Sequence, residues 1–475
     1  MVHIPVLRAG KPYRSLNLVE VPHIQTGEPL VEVSQANRGL VARDLNSTGR
    51  NKRVLDELSV SDLLAICKKA ARLFVEADLD LDGDTQSPED YVKQVSGTTG
   101  MPETLCRANM DKIRLVCDEI DEILNGLTRG LDLSVLDPGW NDQEGRPLSY
   151  ICETEALGAI LPSNSPGVHS LWAPAIPLKV PLVLKPGREE PWTPFRMAQA
   201  FITAGCPPEA FSFYPTDHAG SSEILLRCGR SMLFGGGSTV APWLNNPRVE
   251  IHGPGQSKVI IGEDCIEQWE SYLDLMVDSI AANGGRSCIN ASGVWVPSHG
   301  KEIAEALAER LALITARSLD DPKAQIAAFT NPTFAEQISK SIEIQLKTPG
   351  AEDVTQSVRQ SEIVSRVDGM TFLNPTAVWC EDPEHPLGNT EFLFPFSGVV
   401  EVPQSEILDR IGPSLVVSAV TEDEDFIHAL LESPDVERLN IGSIPTNHIS
   451  WDQPHEGNLF EHLYRQRALQ WAKQA

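Results

Sequence analysis

The chain has 475 residues, too many for one hydrophobic core, and its 41% hydrophobic and 22% charged residues are those of an ordinary globular protein. With 66 acidic against 39 basic side chains the formal charge is −27, which repels nucleic acid and anionic membrane surfaces and argues against polyanion binding as the main role. Nine cysteines without a paired CxxC spacing read as reduced thiols, so neither a disulfide framework nor a metal site is expected.

The start, "MVHIPVLRAGKPYRSL", lacks the basic and apolar regions of a secretory signal, and the apolar "LWAPAIPLKVPLVL" is broken by three prolines and Lys179. A cytoplasmic protein without membrane insertion is expected. The first fifty residues are mixed and turn-rich. After them "SVSDLLAICKKAARLFVEA" (59–77) has apolar residues at helical spacing behind a Ser59 or Ser61 cap, and a second helical stretch runs over 105–127. The N-terminal quarter therefore reads as mainly helical.

Between these helices "DLDLDGDTQSPE" (78–89) fits the calcium-loop pattern D-x-D-x-D-G-x5-E, with Asp78, Asp80, Asp82, Gly83 and Glu89 at the required offsets. Pro88 stands where the second helix of an EF-hand should begin, and Thr85 replaces the usual aliphatic residue. A solvated acidic loop is the preferred reading.

Further on, "VPLVLKPG" (180–187) reads as a buried strand ending in a turn. The helical "PWTPFRMAQAFITAG", the strand "SMLFGG", the helical "CIEQWESYLDLMVDSIAA", the strand "ASGVWVP" and the helical "GKEIAEALAERLALI" follow. Buried strands alternating with helices predict an α/β fold with parallel sheets covered on both faces. Gly235, Gly236 and Gly237 follow a strand, where bare backbone N–H groups can approach a phosphate, but without the G-x-G-x-x-G spacing a plain tight turn is the preferred reading of this piece alone.

Read in order, "LPSNSPG", "LVLKPG", "FGGGST", "VEIHGPGQSKVII", "GGRSC" and "EFLFPFSGVV" resemble the NAD(P)-dependent aldehyde dehydrogenase superfamily across roughly residues 145–450. The resemblance implies two parallel α/β lobes, a Rossmann-type cofactor domain (1–135 and 153–265) and a catalytic domain (266–445). A β oligomerisation arm (136–152) and tail (446–475) would pair copies into a homodimer or homotetramer.

By the same resemblance Cys288 is the catalytic thiol of the family's Gly-Gln-x-Cys motif, with Arg286 in place of the Gln. Thiolates are strong nucleophiles once deprotonated, and addition to an aldehyde gives a thiohemiacetal that becomes a thioester on loss of hydride. Asn164 takes the place of the oxyanion asparagine. Glu250 takes that of the base which activates the deacylating water. Lys185 is expected at the adenosine ribose, Gly237 and Ser238 near the pyrophosphate, and Glu391 at the nicotinamide ribose. Arg188 leans toward NADP, which Glu189 and Glu190 could offset, so the cofactor is NAD or NADP.

Two departures, "GGGSTVAPW" and "EIHGPGQSK", are similar to an outlying branch that includes long-chain acyl-CoA reductases. The leading expectation is NAD(P)-dependent oxidation of a small-molecule aldehyde to a carboxylic acid through a Cys288 thioester. Two alternatives stay open: an acyl-CoA reductase using the same thioester on an acyl thioester substrate, and a non-catalytic, calcium-responsive descendant of the fold. The histidines at 448, 455 and 462 repeat every seven residues and read as solvated.

Overall fold

In the computed structural model, which describes residues 2–143 and 145–471, Ser59 accepts the N–H of Asp62 and caps the helix Val60–Glu76. Leu63, Cys67, Ala70, Ala71 and Phe74 form its buried face at the predicted spacing. The stretch at 105–127 is two helices, Glu103–Asp118 and Ile120–Leu127, broken where the backbone of Glu119 leaves the helical region. Five short strands precede Gln35, and from Arg38 to Asp118 the N-terminal quarter is mainly helical, as expected. Runs of three to six residues are too short to show a clear alternation in sequence.

Two seven-stranded sheets with many surrounding helices fit two α/β domains. In the first, the strands Val249–His252, Arg230–Phe234, Leu157–Ile160, Leu182–Lys185 and Phe211–Phe213 lie side by side in parallel. Val6–Arg8 and Lys11–Tyr13 extend it antiparallel. In the second, Ala291–Val296 runs parallel between Phe396–Glu401 and Ser257–Ile261. Both sheets are buried at their centres, where the strands are near-continuous apolar runs.

Asn164, Lys185, Gly235 and His252 stand at or just beyond the carboxyl ends of parallel strands of the first sheet. Open α/β sheets bind ligands at that edge. Cys288, Gln256 and Leu393 precede strands of the second sheet. The two edges face one another across a single cleft.

The tail pairs with the arm within the chain. Tyr464–Arg467 pairs antiparallel with Arg146–Cys152 of the same chain, with Trp140–Gln143 on the other side. His455 and His462 are largely enclosed rather than solvated, whereas His448 is exposed.

The acidic motif folds as a hairpin, Leu79–Leu81 with Asp84–Gln86. A helix does begin at Pro88, because proline fits a first helical position and Ser87 with Asp90 forms a capping box. The carboxylates nevertheless diverge: Asp82 pairs with His3 and Arg14, and Glu89 with Arg107 and Lys93. The calcium-loop geometry is absent from this segment. Among the described residues no helix is long and apolar enough to cross a membrane.

Candidate active site

The loop that carries Cys288 is set by "NGG". Asn283, Gly284 and Gly285 all have positive φ, and a Cβ on Gly285 would come 2.3 Å from the backbone nitrogen of Pro395. On the opposite side a Cβ on Gly255 would stand 2.0 Å from the Cys288 carbonyl oxygen, so glycine is required for the approach. Ser257 Oγ donates to that oxygen at 2.8 Å, and Asn290 accepts the N–H of Ser287 at 2.9 Å.

Cys288 opens onto a cavity of about 470 Å³ whose walls include Asn164, Gly235, His252, Arg286 and Glu391. Burial, with Glu456 and Glu391 nearby, pushes the thiol well above its ordinary range. The resting sulfur is therefore protonated, and a base must remove the proton before it can attack.

The Asn164 amide donates one hydrogen to the Arg286 carbonyl at 2.6 Å, which leaves a second N–H. Arg286 is buried, stacks over Phe329 with its guanidinium carbon 5.0 Å from the ring centroid, and donates to the Ala328 carbonyl at 2.6 Å.

Glu250 is not among the residues that line this cavity. It and His252 sit two apart on one strand and so share a face, but only His252 reaches the end of the strand. Glu250 Oε1 is 3.0 Å from His252 Nε2, and His252 Nδ1 contacts Glu456 of the C-terminal segment. Phe234, directly opposite in the neighbouring strand, stacks on the imidazole at 4.2 Å between centroids. Burial alone would lower the pKa of His252, but the two carboxylates outweigh it and raise it to about 9. The imidazole is thus a cation at neutral pH, donating from both nitrogens.

Ligand atoms of Cys288, His455 and Glu456 lie within 4.8 Å of one another. Burial, with Arg438, His252 and Lys112 adding to it, lowers His455 to about 3, so it is neutral. Sequence reading singled out neither His252 nor Glu456. The one available signal was that His252 is the final residue of a strand before a glycine turn.

On the cofactor side, Lys185 is held below the ordinary lysine range by burial, which Glu189 opposes. Arg188 is exposed, whereas Glu190 is fully buried and bonded to His169 and Thr193, so it cannot offset Arg188 at the surface. Gly235 and Gly236 line the cavity, and Gly237 and Ser238 are exposed beside it at the start of a short helix. Added Cβ atoms on Gly236 and Gly237 would meet nothing within 4 Å. That open glycine edge, with Lys185 and Glu189, fits the phosphate and ribose of a dinucleotide. Glu391 accepts the N–H of Gln256 at 2.5 Å and is raised to about 7 by burial, against the pull of that backbone bond and Lys258.

The chain is similar to an aldehyde dehydrogenase of Enchytraeus buchholzi, 27% identical over 63% of this chain and 62% of that protein. It is also similar to a phenylacetaldehyde dehydrogenase of Pseudomonas fluorescens, 28% identical over 39% and 37% of the two chains. It thus spans less than two thirds of the length of these relatives. Among solved structures, an E. coli NADP-dependent enzyme superposes with a TM-score of 0.77 at 15% identity, covering 98% of this chain and 97% of that one. The NAD+ complex of a Bacillus cereus aldehyde dehydrogenase does so at 0.76 and 16% identity, covering 98% and 96%. These two likenesses show a shared fold. The aldehyde dehydrogenase family description matches residues 17–457, from the second N-terminal strand pair to the glycine beside Glu456, and the chain therefore belongs to the aldehyde dehydrogenase family.

Proposed function

We propose that the protein oxidises an aldehyde to a carboxylic acid, with NAD or NADP, through a thioester on Cys288. The observation that carries this reading is the convergence of Cys288, Asn164, His252 and Glu391 on one cavity, with Glu456 beside the sulfur.

Glu456 takes the Sγ proton of Cys288, directly or through one water, and the thiolate adds to the carbonyl carbon. The free N–H of Asn164 and the Cys288 backbone N–H receive the charge that develops on oxygen. Lys185, Glu189 and the Gly235–Gly237 turn hold the dinucleotide, with Glu391 at its nicotinamide end; when bound, it supplies the hydride acceptor. In this reading Arg188 favours a 2′-phosphate and Glu189 a ribose hydroxyl, so it covers both NAD and NADP.

Water then attacks the thioester. The base role expected of Glu250 passes in this proposal to Glu456, with His252 spreading the charge between that carboxylate and Glu250. Glu250 acts through His252, as a positioning residue. The Trp140–Gln143 strand is outermost in its three-stranded sheet among the described residues, and that edge supports assembly into two or four copies.

The test is peptide mass analysis of the protein mixed with aldehyde and dinucleotide at neutral pH and then quenched with acid. An adduct of acyl mass on the Cys288 peptide is expected in the wild type and none in Cys288→Ala; an adduct in that variant would overturn the mechanism.

A further inference from the structure

On the other side of the Cys288 loop lies a second, smaller cavity of about 160 Å³, roughly the space of five water molecules. Ser287, the chain neighbour of Cys288, belongs to the walls of both cavities, while Cys288 itself lines the larger one. Its polar wall is Asn109, Lys112, Asn283, Ser287, Asn290 and Asn447, and Lys112 is the one charged side chain lining it among the described residues.

The wall is rigid. Asn109 Nδ2 donates to Asn283 Oδ1 at 2.8 Å, and Asn283 Nδ2 donates to Ser165 Oγ at 3.1 Å and Ser287 Oγ at 2.9 Å. Asn290 donates to the carbonyls of Ser279 and Ala282. The Lys112 stem passes the turn after Asn164: a Cβ on Gly167 would come 3.3 Å from its Cδ. Its ammonium is close enough to interact with both Cys288 and His455.

The acids on the same helix are engaged elsewhere, Asp111 and Asp118 with Arg114 and Glu103 with Arg107. No ion pair or side-chain hydrogen bond of Lys112 occurs among the described residues. Burial accordingly lowers its pKa. An enclosed ammonium without a counter-ion is costly and is stabilised when an anion arrives.

We propose that this cavity holds the far end of the substrate and that the substrate is a short aldehyde bearing an anionic group, which Lys112 pairs. This rests on the aldehyde reading above and narrows it. The small volume suits a carboxylate a few carbons from the carbonyl better than a bulkier phosphate.

The anion site is testable without turnover, by alkylating the full-length protein with iodoacetate or neutral iodoacetamide and reading Cys288 by peptide mass. In Lys112→Met the iodoacetate-to-iodoacetamide rate ratio is expected to fall at least about tenfold, and Lys112→Arg to keep it. If Lys112 only stabilised the thiolate, both rates would fall together and the unchanged ratio would overturn the proposal.

Turnover supplies the second arm. For Lys112→Met, KM for an ω-carboxy aldehyde should rise at least about tenfold, while a neutral aldehyde of equal length is little changed. Equal losses on both would contradict it, and a larger wild-type preference for an aldehyde phosphate would replace carboxylate with phosphate. Failure of every aldehyde alongside a Lys112-dependent alkylation ratio would overturn the oxidation reading and leave the anion site standing.

Discussion

Glu456 meets His252 across 204 residues of chain, so the C-terminal segment supplies a carboxylate to a histidine at the end of a strand in the first sheet. Glu250 holds the other nitrogen of that ring at 3.0 Å. One cation therefore lies between two carboxylates next to a protonated thiol, and the acid–base behaviour of the site follows from this chain of groups.

Removing the carboxylate beside the sulfur should cost more than removing the remote one. Glu456→Gln is expected to slow steady-state turnover by about 10²–10⁴-fold, the usual range for losing a general base. Glu250→Gln should lose only about tenfold, equivalent to about 1.36 kcal/mol of barrier. Steady-state kcat of the two variants checks the order, and equal losses would place Glu250 in direct contact with the reaction.

Stability should depend on pH through His252. Its folded pKa of about 9 lies above the ordinary 6.5, so its contribution is fully present below pH 6.5 and is lost as pH rises through 9. The difference is on the order of 3 kcal/mol. Urea midpoints at pH 6 and pH 10 should drop more for the wild type than for His252→Gln; parallel drops would show that His252 is not the group responsible.

The approach of Gly255 to the Cys288 carbonyl leaves no room for a methyl group. Gly255→Ala should displace the nucleophile loop, reducing activity by at least about tenfold at a stability cost of about 1–3 kcal/mol. Denaturant midpoint and kcat measured together check this. Full activity in the folded variant would mean that the loop tolerates the shift.

Millimolar calcium should produce no heat in calorimetry and no change in Tm. Asp82 and Glu89 are already paired with His3, Arg14, Arg107 and Lys93. A saturable calorimetric signal lost in Asp80→Asn would contradict the hairpin geometry.

Much of the frame was legible because its signals are local. The helix at 60–76 announces itself by its apolar spacing and Ser59 cap, and Cys288 stands out between a glycine turn and a buried strand. Which residue of this strand enters the cleft is hard to place from sequence because "VEIH" offers two same-face candidates, and only the strand's end point, about 6–7 Å further along, decides it. Glu456, His455 and Lys112 join the site through folding over long separations, which no spacing rule encodes. Pro88 misled in the opposite direction, since a proline that bars a helix interior is welcome at its first position.

The fate of the acyl group is decided by supplying an aldehyde with NAD or NADP, with and without coenzyme A, and identifying the product by mass. A carboxylic acid is predicted without coenzyme A in the wild type, and no product in Cys288→Ala. Acyl-CoA formed only when coenzyme A is present would contradict water as the acyl acceptor and remove Glu456 and His252 from the deacylation step.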